Sequence, residues 1–170
     1  MKKSKEIISD KVAVVNQILP HVNKWAWDLF IDGAANNWMP TEVSMAKDIE
    51  QWKGELLSSD EKLVVKRCLG FFAGSESLVA NNLLLSVFKF VTDAECRQYI
   101  LRQAYEESLH NLTVVYVCDS LNLKIGEVYQ AYNSIESIKA KDDFLMNITT
   151  DINRPDFNIN TLEGKREFLR

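Results

Sequence analysis

Apolar residues along this chain recur in steps of three and four rather than in alternation, and that rhythm predicts helices almost throughout. Residues 9–20 read as a short amphipathic helix opened by Ser9 or Asp10 and closed by Pro20. A second helix spans 22–35, with Trp25, Leu29 and Phe30 at helical spacing, and Asn36, Asn37 and Pro40 then mark a loop. Residues 44–55 are helical again. Ser58 and Glu61 form an S-x-x-E capping box, from which the pattern runs to about Val91 without a break except at Gly70 and Gly74. Thr92 and Glu95 make a second such box, opening the helix that contains residues 97–118. A turn at Asn122 leads to a helix reaching about Lys139 and continuing through 140–150, before a loop at 153–158. The fold class is therefore all-α, a helical bundle, and 170 residues fit within one domain.

Two helix faces break the apolar rule. Cys96, Ile100, Gln103, Glu107, His110, Val114 and Leu121 share one stripe, and within it Glu107 and His110 form an E-x-x-H pair. Three residues of helix turn through about 300°, so both side chains leave the same face. On the preceding helix, Leu69, Phe72, Glu76, Val79, Leu83 and Phe90 keep the same rhythm, with Glu76 where Leu or Val is expected. A carboxylate facing a core is paired, neutralised or bound to a cation, because desolvating it alone costs several kcal/mol. The structural alternative is a Glu–His hydrogen bond inside the core, with Glu76 capping a loop or meeting Lys24 or Arg102. Two Glu and one His offer O, O and N donors, which suit iron or manganese better than a metal that prefers thiolates. A dinuclear carboxylate centre in a helix bundle takes a Glu from each of two helices and an E-x-x-H from each of two others. This chain has one of each. Its other histidine, His21, follows Pro20 and has no Glu three residues before it, so the sequence holds half of such a site.

Composition narrows the function classes. At 170 residues, 46% hydrophobic and 26% charged, the chain has room for a real core. A net charge of −4 gives no basic surface for nucleic acid or an anionic membrane. Cys68, Cys96 and Cys118 contain no C-x-x-C and suit a reduced, intracellular setting. The basic N-terminus lacks an apolar run of the signal-peptide kind, and no 18 consecutive residues are apolar, so no transmembrane span is expected.

Four blocks in order carry a resemblance: WAWDLFIDGAANNWMPTEVSMAKDIEQW, FFAGSESLVANNLL, RQAYEESLHNLTVVYVCDSL and AYNSIESIKAKDDF. Together they resemble the radical-generating small subunit of class I ribonucleotide reductase, most of all its chlamydial-type subclass, class Ic. The resemblance covers roughly residues 22–168 and corresponds to the N-terminal half of such a subunit. It implies a ferritin-like bundle, completed here by a second polypeptide carrying the C-terminal half with the missing Glu and E-x-x-H. It implies that Glu76, Glu107 and His110 are metal ligands of the first position, with Glu107 a bridge to the second metal. Trp38, in WMPTEV, matches the tryptophan that passes an electron toward the cofactor, while Trp25, Trp27 and Trp52 are left as core or packing residues. Val114 occupies the position of the usual radical tyrosine, four residues after the histidine; Tyr105 and Tyr116 lie on other faces of the helix. The subclass stores its oxidising equivalent on a dinuclear Mn/Fe pair, which makes Mn/Fe the implied cofactor, with Fe/Fe or Mn/Mn as alternatives. The implied partners are the catalytic large subunit of ribonucleoside-diphosphate reductase and a second copy of the completed small subunit, as a cytoplasmic dimer. A ligand-binding Mn/Fe oxidase of the same fold is the alternative activity, and a metal-free structural bundle is a third reading.

Overall fold

The computed structural model describes residues 6–12 and 14–170. Its elements are α1 (Lys24–Ala35), a 3₁₀ turn (Pro40–Glu42), α2 (Ala46–Lys53), α3 (Ser59–Asn82), a π-helical continuation (Leu83–Val87), α4 (Ala94–Ser120), α5 (Ile125–Tyr129), α6 (Ala131–Ser134), α7 (Glu136–Asn153) and α8 (Leu162–Phe168). Among the described residues the only extended pairing is one antiparallel bridge between Ile8 and Val91.

The chain divides into two compact units. The first comprises Met1–Asn37, Ala80–Glu106 and Met146–Arg170. Ala26, Val91, Cys96 and Ile100 form its core, flanked by Leu83, Phe88 and Phe168, and Phe90 meets Phe157 and Phe168 edge-on. The second comprises Trp38–Val79 and Glu107–Leu145. Ala73, Val114, Cys118 and Val128 form its core, with Leu69, Leu123 and Tyr129 against it. In this second unit α3 meets the α5–α6 segment at Gly70, where a Cβ would lie 2.4 Å from Ala131 Cβ and 3.0 Å from the Val128 carbonyl oxygen. Only a residue without a side chain permits that approach.

The cap at Ser58 forms as read. Its backbone N–H and hydroxyl both donate to Glu61 Oε2 at 2.8 Å, while Glu61 N–H donates to Ser58 Oγ. The box at Thr92 and Glu95 does not form. Asp93 caps α4 instead, its Oδ1 accepting from Cys96 N–H at 2.9 Å. Thr92 donates its hydroxyl to the Glu6 carbonyl. Glu95 accepts from Val22 N–H at 3.0 Å and Asn23 N–H at 2.5 Å, and its Oε1 meets His21 Nδ1 at 2.7 Å. Three donors of the N-terminal arm outcompete the single helix-start N–H that the box would have used.

Two further expectations are corrected. Residues 9–12 and 14–20 form bends and coil, not a helix; Ala13 lies outside the described residues. Ser9 N–H donates to the Phe90 carbonyl and Thr92 N–H to that of Ile7, so this arm uses its backbone in pairing. Val14 and Val15 are exposed, leaving a short helix there no apolar face to bury. The helix expected to run on from the Asn122 turn is broken into α5, α6 and α7, with Ile135 extended between the last two. Ser59–Val87 is the one run among the described residues long and apolar enough, by length and composition, to cross a membrane. One such helix is a weak sign, since the central helix of a bundle passes the same test, and this one carries Glu76 within its apolar stretch.

Candidate metal centre

Glu76 on α3 and Glu107 and His110 on α4 come together, with one ligand atom from each lying within 4.8 Å of the others. The E-x-x-H spacing puts Glu107 and His110 one above the other on the helix. His110 Nδ1 faces both carboxylates, 2.9 Å from Glu107 Oε2 and 3.1 Å from Glu76 Oε2. Glu107 is buried, Glu76 half-buried, and the imidazole is the most open of the three. The alternative partners of Glu76 are engaged elsewhere: Arg102 pairs with Glu106 and Lys24 with Asp28.

The electrostatics follow from that crowding. Burial pushes the Glu107 carboxyl above its usual range, and contact with Glu76 pushes it further, against the opposing pull of His110. Burial alone would lower the His110 pKa, but its hydrogen bonds to Glu107 and Glu76 outweigh this and raise it. The cluster thus retains protons where a cation is wanted. A divalent metal satisfies the same demand by displacing them. The donor set of two carboxylate oxygens and one imidazole nitrogen, converging on one point, fits iron or manganese. Among the described residues these three donors form one cluster, enough for one metal position.

Around the cluster the second unit supplies an apolar setting. Trp38 sits with its ring centroid 6.1 Å from that of His110, tilted by 32°. The loop that follows it is tied to α4 by Tyr116, whose hydroxyl donates to the Val43 carbonyl at 2.8 Å. Val114 is buried, and with Leu69, Phe72 and Val117 it lines a cavity of about 330 Å³ that Trp38, Glu76 and His110 also border. Neither Tyr105, which is exposed, nor Tyr116 lines it. Trp25 is exposed rather than core, while Trp27 stacks between His21 and Phe30 and Trp52 lies under Lys62.

The sequence reading missed a polar link beside the cluster. Ser77, next after Glu76, donates toward Asn111, next after His110, at 3.1 Å. The signal was available: a Ser and an Asn each adjoin an expected ligand, one register position off the stripe. It also read Glu95 only as a cap, where the structure buries it under the N-terminal arm.

With this geometry in place, the likeness to known proteins is specific. Residues 15–169 match the family of the ribonucleotide reductase small chain. A ribonucleoside-diphosphate reductase subunit beta from Chlamydia pneumoniae is 52% identical over 92% of this chain and 45% of its own length. A ribonucleoside-diphosphate reductase small chain from swinepox virus is 30% identical over 69% of this chain and 43% of its own. Among solved structures, the ribonucleotide reductase R2 subunit of Clostridium botulinum superposes with a TM-score of 0.81 at 21% identity, over 97% of this chain and 50% of that one. At that identity the likeness is one of fold, and the fold is the ferritin-like helical one. The chain spans about half the length of the curated relatives it matches.

Proposed function

We propose, because the chain belongs to the ribonucleotide reductase small-chain family, that it supplies the first metal position of the small subunit of a ribonucleoside-diphosphate reductase. The observation that carries this is the convergence of Glu76, Glu107 and His110 within 4.8 Å. These three residues would hold the first metal, with Glu107 the candidate for sharing with a second. A dimetal centre, when bound and reacted with dioxygen, supplies the one-electron oxidant for reducing ribonucleotides to deoxyribonucleotides.

The remaining roles belong to this chain's own side chains. Trp38, tilted beside His110, would pass an electron between the centre and the catalytic large subunit. Val114 has no phenol to oxidise, so the oxidant is not a tyrosyl radical at that position. That absence, together with Glu76 and the likeness to a chlamydial subunit, favours Mn/Fe over Fe/Fe or Mn/Mn. The apolar walls at Leu69, Phe72 and Val117 would keep water from the oxidant.

The other Glu and E-x-x-H would come from the polypeptide length that the relatives have beyond this match, on a second chain or on the rest of this one. The completed subunit would dimerise and act in the cytoplasm. Residues 1–170 would then form half of one domain rather than a self-sufficient one. One observation favours a second reading, a ligand-binding Mn/Fe oxidase: the apolar cavity of about 330 Å³ beside His110. A long-chain lipid retained there, with no response to a nucleotide-reducing large subunit, would decide for it.

The test is metal content. Glu107→Ala and His110→Ala should abolish uptake at the first position, because two donors are too few to hold the ion. Full occupancy in the double variant would refute the assignment. A well-folded 170-residue monomer that binds two metals unaided would refute the need for further ligands.

A further inference from the structure

Ser77 and Asn111 bridge α3 and α4 directly beside the ligand cluster. The Ser77 hydroxyl lies 3.1 Å from Asn111 Oδ1 and 3.2 Å from the Ala73 carbonyl one turn back on its own helix. Asn111 Nδ2 lies 3.1 Å from the Glu107 carbonyl. A carbonyl oxygen only accepts, so the amide nitrogen must face Glu107 and the amide oxygen must face Ser77. That oxygen also only accepts, so Ser77 is the donor, its one proton shared between Asn111 Oδ1 and the Ala73 carbonyl. The direction of the relay is therefore set: Ser77 to Asn111, and Asn111 to the backbone of Glu107. Ser77 follows Glu76 in the chain, Asn111 follows His110, and the Glu107 carbonyl receives the last bond, so the relay runs one residue from two of the three positions and ends on the backbone of the third.

Apolar packing does not do this work. Ala73, Val114 and Cys118 bury surface in this region, but hydrophobic contact is non-directional and does little to resist a small slide of one helix along another. A ligand set held on two helices needs its donors placed to within about 0.5 Å. Ser77 and Asn111 form, among the described residues, a directional side-chain bond between α3 and α4 one residue from two ligands.

We propose that Ser77 and Asn111 are positioning residues that lock the register of α3 against α4, carrying the Glu76 carboxylate to the metal held by Glu107 and His110. The proposal rests on the metal-centre reading above. Removing the lock leaves all three ligands in the chain but lets Glu76 drift relative to the other two.

The experiment is a Mn(II) titration of the purified protein, in the assembly it forms, with free Mn(II) followed by electron paramagnetic resonance. Ser77→Ala and Asn111→Ala should each weaken binding about 10- to 100-fold, the usual effect of losing a residue that orients a ligand. The double variant should be no weaker than the worse single, because both remove one link. Ser77→Thr, which keeps the hydroxyl, should restore the affinity. The line shape of bound Mn(II) should change in Ser77→Ala and recover in Ser77→Thr, which a general loss of packing would not produce. Circular dichroism checks folding of each variant, and Ser77→Thr against wild type carries the comparison if an alanine variant fails to fold. Unchanged affinity and line shape in both alanine variants, while Glu76→Ala and His110→Ala lose Mn(II), would overturn the lock and leave the metal centre standing. Wild-type binding in Glu76→Ala and His110→Ala would instead remove the metal-centre reading, and the lock with it.

Discussion

Gly70→Ala tests whether α3 is seated where the site requires. The added Cβ would lie 2.4 Å from Ala131 Cβ and 3.0 Å from the Val128 carbonyl oxygen. Ordinary carbon–carbon contact is about 3.5–4.0 Å, so the helices must separate by roughly 1 Å or more. The obstruction includes backbone, which cannot swing aside as a long side chain can. Overpacking of this kind costs about 1–3 kcal/mol. Against it stands the better helix propensity of Ala over Gly, worth about 1 kcal/mol. Taking the upper part of the overpacking range, the expected net loss is about 1–2 kcal/mol, or roughly 2–8 °C in melting temperature for a chain of this size. Gly126→Ala is the matched control, because nothing lies within 4 Å of its added Cβ; it should gain about 0.4–1 kcal/mol. Urea unfolding of both variants at fixed protein concentration measures the difference, expected near 2 kcal/mol from the two figures together. Gly70→Ala should also bind metal more weakly, since α3 carries Glu76 six residues further on. A Gly70→Ala protein as stable as Gly126→Ala would refute the close seating of α3 on α5–α6.

In the metal-free protein, Glu107 and His110 titrate above their ordinary values of 4.5 and 6.5, so the folded state binds protons more tightly than the unfolded chain at both. Their contribution to stability is fully present below those values and is lost as pH rises through the raised ones; urea midpoints should fall across that window, and saturating Mn(II) should reverse the trend, whereas a metal-free midpoint rising with pH would refute the pairing. Trp38→Phe keeps an apolar ring but one harder to oxidise, so metal loading should stay near normal while nucleotide reduction with the large subunit is lost; unchanged turnover would make Trp38 a packing residue. Glu95→Ala strips a buried carboxylate from His21 and from the Val22 and Asn23 N–H groups and should cost about 1–3 kcal/mol, as for donors left without their acceptor. A loss below about 1 kcal/mol by urea unfolding would show that water replaces it.

What the sequence determined by itself was periodicity and chemistry. Steps of three and four placed α1, α2, α3 and α4, an S-x-x-E pair placed the cap of α3 at Ser58, and the same steps put Glu107 and His110 on one face, because helix geometry is local. A carboxylate at an apolar position signalled a partner, a proton or a cation, because desolvation is a property of the group, whatever the fold. Counting gave one Glu and one E-x-x-H in this sequence, half of the ligand set that a dinuclear centre in a helix bundle uses.

Tertiary structure decided the matters in which groups compete for partners. The box at Ser58–Glu61 forms and that at Thr92–Glu95 does not: Asp93, a better N-cap than its neighbour Thr92, takes the cap, and His21, Val22 and Asn23 arrive at Glu95 from more than 70 residues away. Residues 9–12 have helical rhythm yet form no helix: the arm pairs its backbone at Ile7 and Ser9 with 90–92, and Val14 and Val15 stand exposed. The meeting of Glu76 with His110 is likewise a fact of two helices lying side by side, 34 residues apart in the chain. So is the Ser77–Asn111 bond, for a hydrogen bond between helices depends on their relative register, and no repeat within either helix encodes that.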